Sequence, residues 1–333
     1  MQAPDFDTQR ESRQQYRDPS RPLSFPNHLP EDAEWYPVDY RFTPKRQSKP
    51  TESWRKIVRE TNPKWWLHIS LFVLTAVACY LVDGIWYAVG LMSILLAHEM
   101  GHYVMSLSWG VRSSAPYFIP FPSIPGVVQS PIGTLGAVIV MKSRIPSRSA
   151  LIDIGAAGPI AGFVVSLVAI TIGLYQSSIE MLPQPWPIPG YFFYEFGESL
   201  LSLGLRTYLF GPLPEGAAVI ASPLYRAGWV GLFVTALNLL PIGQLDGGHI
   251  AYALFRRNYR AITYVATAVL IGLVFVSAVW TLFAILALMF GRKHPPPTDD
   301  VTPIDAGRRI IGYLCIVILV LCFMPNPLSV VGL

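Results

Sequence analysis

The chain has 333 residues, of which 52% are hydrophobic and only 14% charged, with a formal net charge of +4. Soluble globular domains carry about 25% charged residues, so the composition excludes an ordinary soluble fold and points to a membrane protein. No long basic block with interleaved aromatics is present, which argues against nucleic acid as a partner. Three cysteines without paired spacing (Cys79, Cys315, Cys322) argue against a disulfide framework or a cysteine-built metal site.

Residues 1–64 read as a cytoplasmic, largely disordered tail. Met1 to about Arg41 is polar and rich in Gln, Arg, Asp and Pro. It lacks the apolar core of a signal peptide and the acid-poor character of a transit peptide. Residues 65–333 are predicted to be a single all-α polytopic membrane domain, a bundle of about six transmembrane helices with a short membrane-associated β segment. No PDZ-like or CBS domain is visible.

The first two apolar runs are 65–82 and 85–109, each near the length that spans a bilayer. Two tryptophans open the first, as interface anchors would. A Pro-rich stretch, 115–131, cannot be continuous helix. Gly133 to Met141 reads as a short β segment. A third span covers 149–175, and a polar, Pro-rich loop covers 176–226. A fourth run starts near Ala227, is interrupted at Pro241, Gly243 and Gly247-Gly248, and resumes to Phe255. The run 261–290 is long for one span and short for two, and the basic ends of 292–309 favour two short helices or a bent hairpin. The last run is 310–324.

Charge gives an orientation. Between Arg41 and Lys64 lie eight Lys/Arg and two acids, a flank that the positive-inside rule places in the cytoplasm. The rule then puts Arg112, Lys142, Arg144 and Arg148 inside, Glu180, Glu195, Glu198 and Glu215 outside, and Arg256-Arg257 inside. The bacterial inner membrane is the expected location.

The second run contains His98-Glu99-Met100-Gly101-His102. Histidines four apart share one helix face, and two imidazoles at that spacing can bind one zinc. Glu99 is placed to reach a metal-bound water, the H-E-x-x-H pattern of zinc metalloproteases. Ionisable groups inside an apolar span are costly, which makes each a functional hypothesis. A catalytic zinc has three protein ligands and one open position. Asp246 is the choice for the third ligand, because it follows a Pro/Gly break in an apolar span, and broken membrane helices tend to line sites. The alternative role for Asp246 is an N-cap. Asp153 competes as a ligand, but near the start of its span it can reach the interface or pair with Arg148. His249 is a possible partner of the ligands or a packed histidine. The small residues from Gly155 to Gly162 read as close helix packing.

Together, His98-Glu99-Met100-Gly101-His102, Gly158-Pro159-Ile160-Ala161-Gly162 and the stretch Asn238 to Gly248 resemble the site-2 protease family of intramembrane metalloproteases, peptidase M50-like. The resemblance covers roughly Trp65 to Pro327. The β segment and His294-Pro295-Pro296-Pro297 with Arg308-Arg309 resemble a branch found in bacteria and plastids. The resemblance implies one zinc per chain held by His98, His102 and Asp246, and Glu99 as catalytic base. It implies transmembrane protein substrates, cut within or at the edge of the lipid bilayer. An unwound substrate needs its backbone paired in lipid, so the β segment, including Gly133, Thr134, Leu135 and Gly136, is expected to offer it a strand edge. Asn238 is expected either to contact the substrate or developing oxyanion, or to satisfy the broken helix's own backbone. The competing reading is a non-proteolytic membrane metal-binding protein or transporter. An inverted repeat would favour it, and none is seen.

Overall fold

The computed structural model describes residues 64–123, 130–184, 186–188, 193–290 and 295–331. The predicted tail therefore lies, but for Lys64, outside the described residues. Helix α1 (Trp65–Ser108) is broken at Asp83 and Gly84, where Gly84 has φ 78°, a left-handed conformation that costs glycine little. The break divides α1 into the two apolar runs read from the sequence. Asp83 at the break pairs with Arg226. At the other end His68 Nδ1 lies 3.0 Å from the Pro116 carbonyl, placing the start of α1 beside the chain that leaves its end.

That chain forms a hairpin between β1 (Tyr117–Pro120) and β2 (Thr134–Val138), antiparallel, with Phe118 opposite Ala137 and a bulge before Pro120. The predicted β segment is thus a strand, but its partner lies in the Pro-rich stretch, where no strand was expected. The hairpin is pinned to α1. Tyr87 donates to the Ile132 carbonyl at 3.0 Å, and Gly133, with φ 86°, sits against the backbone of Ala78 and Cys79, leaving no room for a Cβ.

Helix α2 (Arg148–Tyr175) starts with Ser147 as N-cap, whose side chain accepts from the Ala150 N–H. Small residues let its backbone approach its neighbours, as in membrane helices generally. Helices α1 and α2 are both long and apolar enough to cross a membrane. α4 (Pro223–Asn238) lies against α2, with Gly228 on the Ile170 backbone and Gly173 on the Tyr225 backbone.

The predicted interruption follows α4 directly, and α5 (Asp246–Phe255) resumes after it. The Gly247 Cα faces the carbonyls of Leu239 and Leu240 so closely that only glycine fits. A broken helix frees carbonyls, and in a membrane those need partners. The next helix, α6 (Tyr259–Leu273), supplies them: Tyr259 donates to Gly243 O and Thr263 to Pro241 O, both at 3.1 Å. The run 261–290 is two helices, α6 and α7 (Trp280–Phe290). α8 (Ala306–Cys322) is the last.

The expected loop 176–226 holds more order than its composition announced. It contains β3 (Ser178–Met181), β4 (Phe193–Phe196), α3 (Leu200–Phe210) and β5 (Ala217–Ile220). β3 pairs with β5, and β4 pairs with β6 (Leu328–Val331) from the C-terminal end. A capping box between Ser199 and Ser202 starts α3, and the leucines that follow pack against the core.

Asp153 does not pair with Arg148. Arg148 donates to the Ala253 carbonyl instead. Asp153 is held by Arg308, at 2.8 Å from Nη2, and by the Trp109 indole N–H at 3.1 Å. The Arg308 guanidinium also lies 5.4 Å from the centre of the Trp109 ring. The Asp305 carboxyl at the mouth of α8 is held below its ordinary range by the Arg308 N–H and then by its guanidinium. Arg308→Gln would leave the Asp153 carboxylate, only 14% exposed, without its cation. Thermal unfolding should show a loss of about 1–3 kcal/mol, discounted from a fully buried pair because Arg308 is partly solvated. The exposed Asp305→Asn should cost less. Equal effects would mean that Asp153 finds another partner.

Candidate metal centre

His98 and His102 are both buried on the second segment of α1, one turn apart. Asp246 is the first residue of α5, and Leu245 rather than Asp246 is the N-cap, so its carboxylate is not spent on capping. The three meet. His98 Nε2 and His102 Nε2 are 3.2 Å apart. Asp246 Oδ2 lies 3.2 Å from His102 Nε2 and 3.4 Å from His98 Nε2. Asp153, the competing carboxylate, is tied to Arg308 and Trp109 and is not part of this cluster.

The hydrogen bonds fix which nitrogens face inward. The Ile154 carbonyl sits 2.7 Å from His102 Nδ1. A carbonyl only accepts, so Nδ1 donates and the neutral ring presents a bare Nε2. His98 Nε2, a corner of the cluster, lies 3.1 Å from the Asn238 amide nitrogen; an ion at the cluster would take this nitrogen's one lone pair and leave the Asn238 amide free to donate elsewhere. Two imidazole lone pairs and a carboxylate oxygen converge, and a single proton satisfies only one of their contacts. A tetrahedral ion with zinc-like bonds of 2.0–2.1 Å would set its donors about 3.3 Å apart. The observed triangle has that size, so the residues fit a zinc-type ion.

Glu99 is buried beside this triangle but is not one of its corners. Its carboxylate lies near the backbone N–H of Ile139, the residue after β2. Catalytic motif and hairpin are therefore in direct contact. Among the other predicted residues, Thr134 donates to the Ile119 carbonyl at 2.8 Å, which locks the hairpin, and Leu135 is 62% exposed. Gly136, with φ 97°, has open space on its Cα. Asn238, the last residue of α4, stands against His98. His249 is buried one turn after Asp246, its Cβ beside Gly155 of α2.

The small residues of α2 form the floor of the site. A Cβ on Gly158 would collide with the His102 imidazole, and one on Gly162 would lie 3.0 Å from His98 Nδ1. Three contributors escaped sequence reasoning: the Ile154 carbonyl, the Ile139 N–H, and Gly158 as the seat of His102. The first two are backbone groups with no sequence signature. The glycine was visible, but its spacing signals helix packing in general.

Residues 86–279 match the model of Peptidase family M50. The probable zinc metalloprotease EGY1, chloroplastic, of Arabidopsis thaliana is 32% identical over 243 residues, covering 72% of this chain and 42% of that protein. The probable zinc metalloprotease EGY2, chloroplastic, of the same plant is 28% identical over 255 residues, 76% of this chain and 44% of the relative. An EGY1 relative from Oryza sativa subsp. japonica is 32% identical over 72% of this chain and 40% of its own length. The chain thus spans less than half the length of these curated relatives. With the family match covering more than half of its residues and falling on both ligand-bearing helices, the chain belongs to peptidase family M50.

Proposed function

We propose that this chain is an intramembrane zinc metalloendopeptidase that cleaves transmembrane helices of membrane-anchored regulatory proteins. The observation that carries the proposal is the closed triangle of His98 and His102, in the otherwise apolar α1, with Asp246 of α5, and Glu99 beside it. Zinc held by these three donors supplies a Lewis acid that polarises the scissile carbonyl and makes water a nucleophile near neutral pH. Glu99 takes the proton of the attacking water and returns it to the leaving amine. The nearby Ile139 N–H helps to orient the carboxylate for that transfer. Asn238 can donate to the oxygen on which negative charge develops. His249 packs behind Asp246 and supports its helix.

Residues 65–333 form the protease domain in this reading and residues 1–64 a cytoplasmic tail. About six membrane segments are counted with α6–α7 as one hairpin. The Lys/Arg of the loops at Arg112, Lys142, Arg144, Arg148, Arg256 and Arg257 support a cytoplasmic placement of those loops. Glu180, Glu195, Glu198 and Glu215 support an outside placement of the loop after α2. A bacterial inner membrane is the compartment proposed from the sequence, and the relatives' printed names say chloroplastic of those proteins.

A helical substrate must unwind before its peptide bonds can be attacked. The edge of β2 from Gly133 to Gly136 is proposed to pair with the unwound segment, and the Ile139–Glu99 contact supports this by putting the strand's end at the base. Proline placed at alternate positions of β2 removes N–H groups on one side of the strand, outward in one register and toward β1 in the other. At one register, cleavage should fall about tenfold or more with metal content unchanged. Full activity at every position would rule the edge out.

The overall proposal is tested by incubating wild type in liposomes with a panel of single-span membrane proteins. Chelator-sensitive cleavage within or beside a span is expected. Cleavage confined to soluble loops would instead indicate an ordinary metalloprotease.

A further inference from the structure

The first turns of α2 and α8 and the last turn of α5 surround a cavity of about 230 Å³, lined by Arg148, Leu254, Pro303, Ile304, Arg309 and Tyr313. The Arg148 guanidinium is oriented by the Ala253 carbonyl, which accepts from its Nε at 3.2 Å. Arg309 is exposed, and among the described residues no carboxylate pairs with it.

The nearby acids are already engaged. Asp300 pairs with Arg256 at 2.7 Å, and Asp153 and Asp305 pair with Arg308. Asp299 Oδ1 accepts from the backbone of Val301 and Thr302. Two guanidiniums therefore share one concavity at the N-terminal ends of helices of 28 and 17 residues; the Asp299 carboxylate acts on Arg148, while Arg309 has no carboxylate paired with it among the described residues.

Guanidinium forks match tetrahedral oxyanions, and Tyr313, one turn beyond Arg309, adds a hydroxyl donor. Leu254, Pro303 and Ile304 give the cavity an apolar wall of the kind the glycerol end of a lipid would meet. We propose that this cavity binds the phosphate group of an anionic membrane lipid. The assignment rests on the membrane-embedded reading given above, with this face at the bilayer surface. Occupancy has a structural consequence: Arg148 holds the end of α5, which begins with Asp246, and Ile304 packs on Leu151, Ile152 and Ala253 of α2 and α5. A bound phosphate braces the ends of both helices.

The test is native mass spectrometry of the full chain in detergent, titrated with dioleoylphosphatidylglycerol, dioleoylphosphatidylcholine or inorganic phosphate. Phosphatidylglycerol should be retained in preference to phosphatidylcholine. Arg309→Gln should weaken it about fivefold, and Arg148→Gln with Arg309→Gln about 25-fold. Arg257→Gln with Arg260→Gln, an equal loss of charge nearby, should change it less than about twofold. Arg309 makes no internal ion pair, so its variant keeps the test valid if loss of Arg148 unfolds the chain. Equal losses in the two double variants would overturn the site in favour of diffuse charge. Displacement by millimolar inorganic phosphate without lipid preference would overturn the lipid as ligand. Retention in membranes after an alkaline wash checks the embedded reading separately.

Discussion

Exchange of Glu99 for Gln is expected to lower cleavage by about 10²–10⁴-fold while leaving the metal content unchanged. The reasoning is geometric. Glu99 lies outside the donor triangle, so removing its charge takes away no ligand. Glutamine has the same shape, and the hairpin is held to α1 by Tyr87 and Gly133, so it stays in place. It cannot take a proton at neutral pH, and that is the one property the reaction requires of this residue. Loss of metal along with activity would make Glu99 a ligand. Retained activity would move the base elsewhere.

Gly158→Ala is expected to abolish metal binding, or weaken it by at least about 100-fold, although position 158 contributes no donor atom. The new methyl would occupy space now filled by the His102 imidazole. That ring cannot rotate away without breaking Nδ1–H to Ile154 O, at 2.7 Å. Either response turns Nε2 from the triangle. Alanine suits a helix better than glycine, so α2 should stay helical, and circular dichroism should report an intact fold. Gly162→Ala is the graded control. Its methyl would press on His98 Nδ1 at 3.0 Å, a contact the ring can relieve by a shift of a few tenths of an ångström, so partial metal binding should survive. Equal effects at the two positions would mean that general loss of helix packing, not the seat of His102, is responsible.

The metal cluster was legible because ionisable residues are conspicuous in apolar runs. His98, Glu99 and His102 stand out within 85–108, and the Pro/Gly break before Asp246 marks where a membrane helix opens. What remained illegible was set by partners distant in the chain. Asp153 could have paired with the nearby Arg148, and only tertiary packing shows that Arg308, 155 residues away, holds it. β1 was hidden in a stretch dominated by prolines, where pairing with β2 decides the structure. Helix α3 lies in a stretch that reads as loop because glutamates and prolines flank it, despite its Ser-x-x-Ser cap. The division of 261–290 is foreshadowed by the basic ends of 292–309, whereas the role of α6 in satisfying the carbonyls freed at Pro241 and Gly243 is not. Tyr259 and Thr263 serve that role, a demand that hydropathy does not register.

The central claim is that His98, His102 and Asp246 together hold one zinc. Its most direct test is the zinc content of metal-replete, purified wild type beside His102→Ala and Asp246→Ala. The account predicts one zinc per chain in wild type and loss in each variant. Wild type without zinc, or Asp246→Ala retaining it at full stoichiometry, would contradict the account.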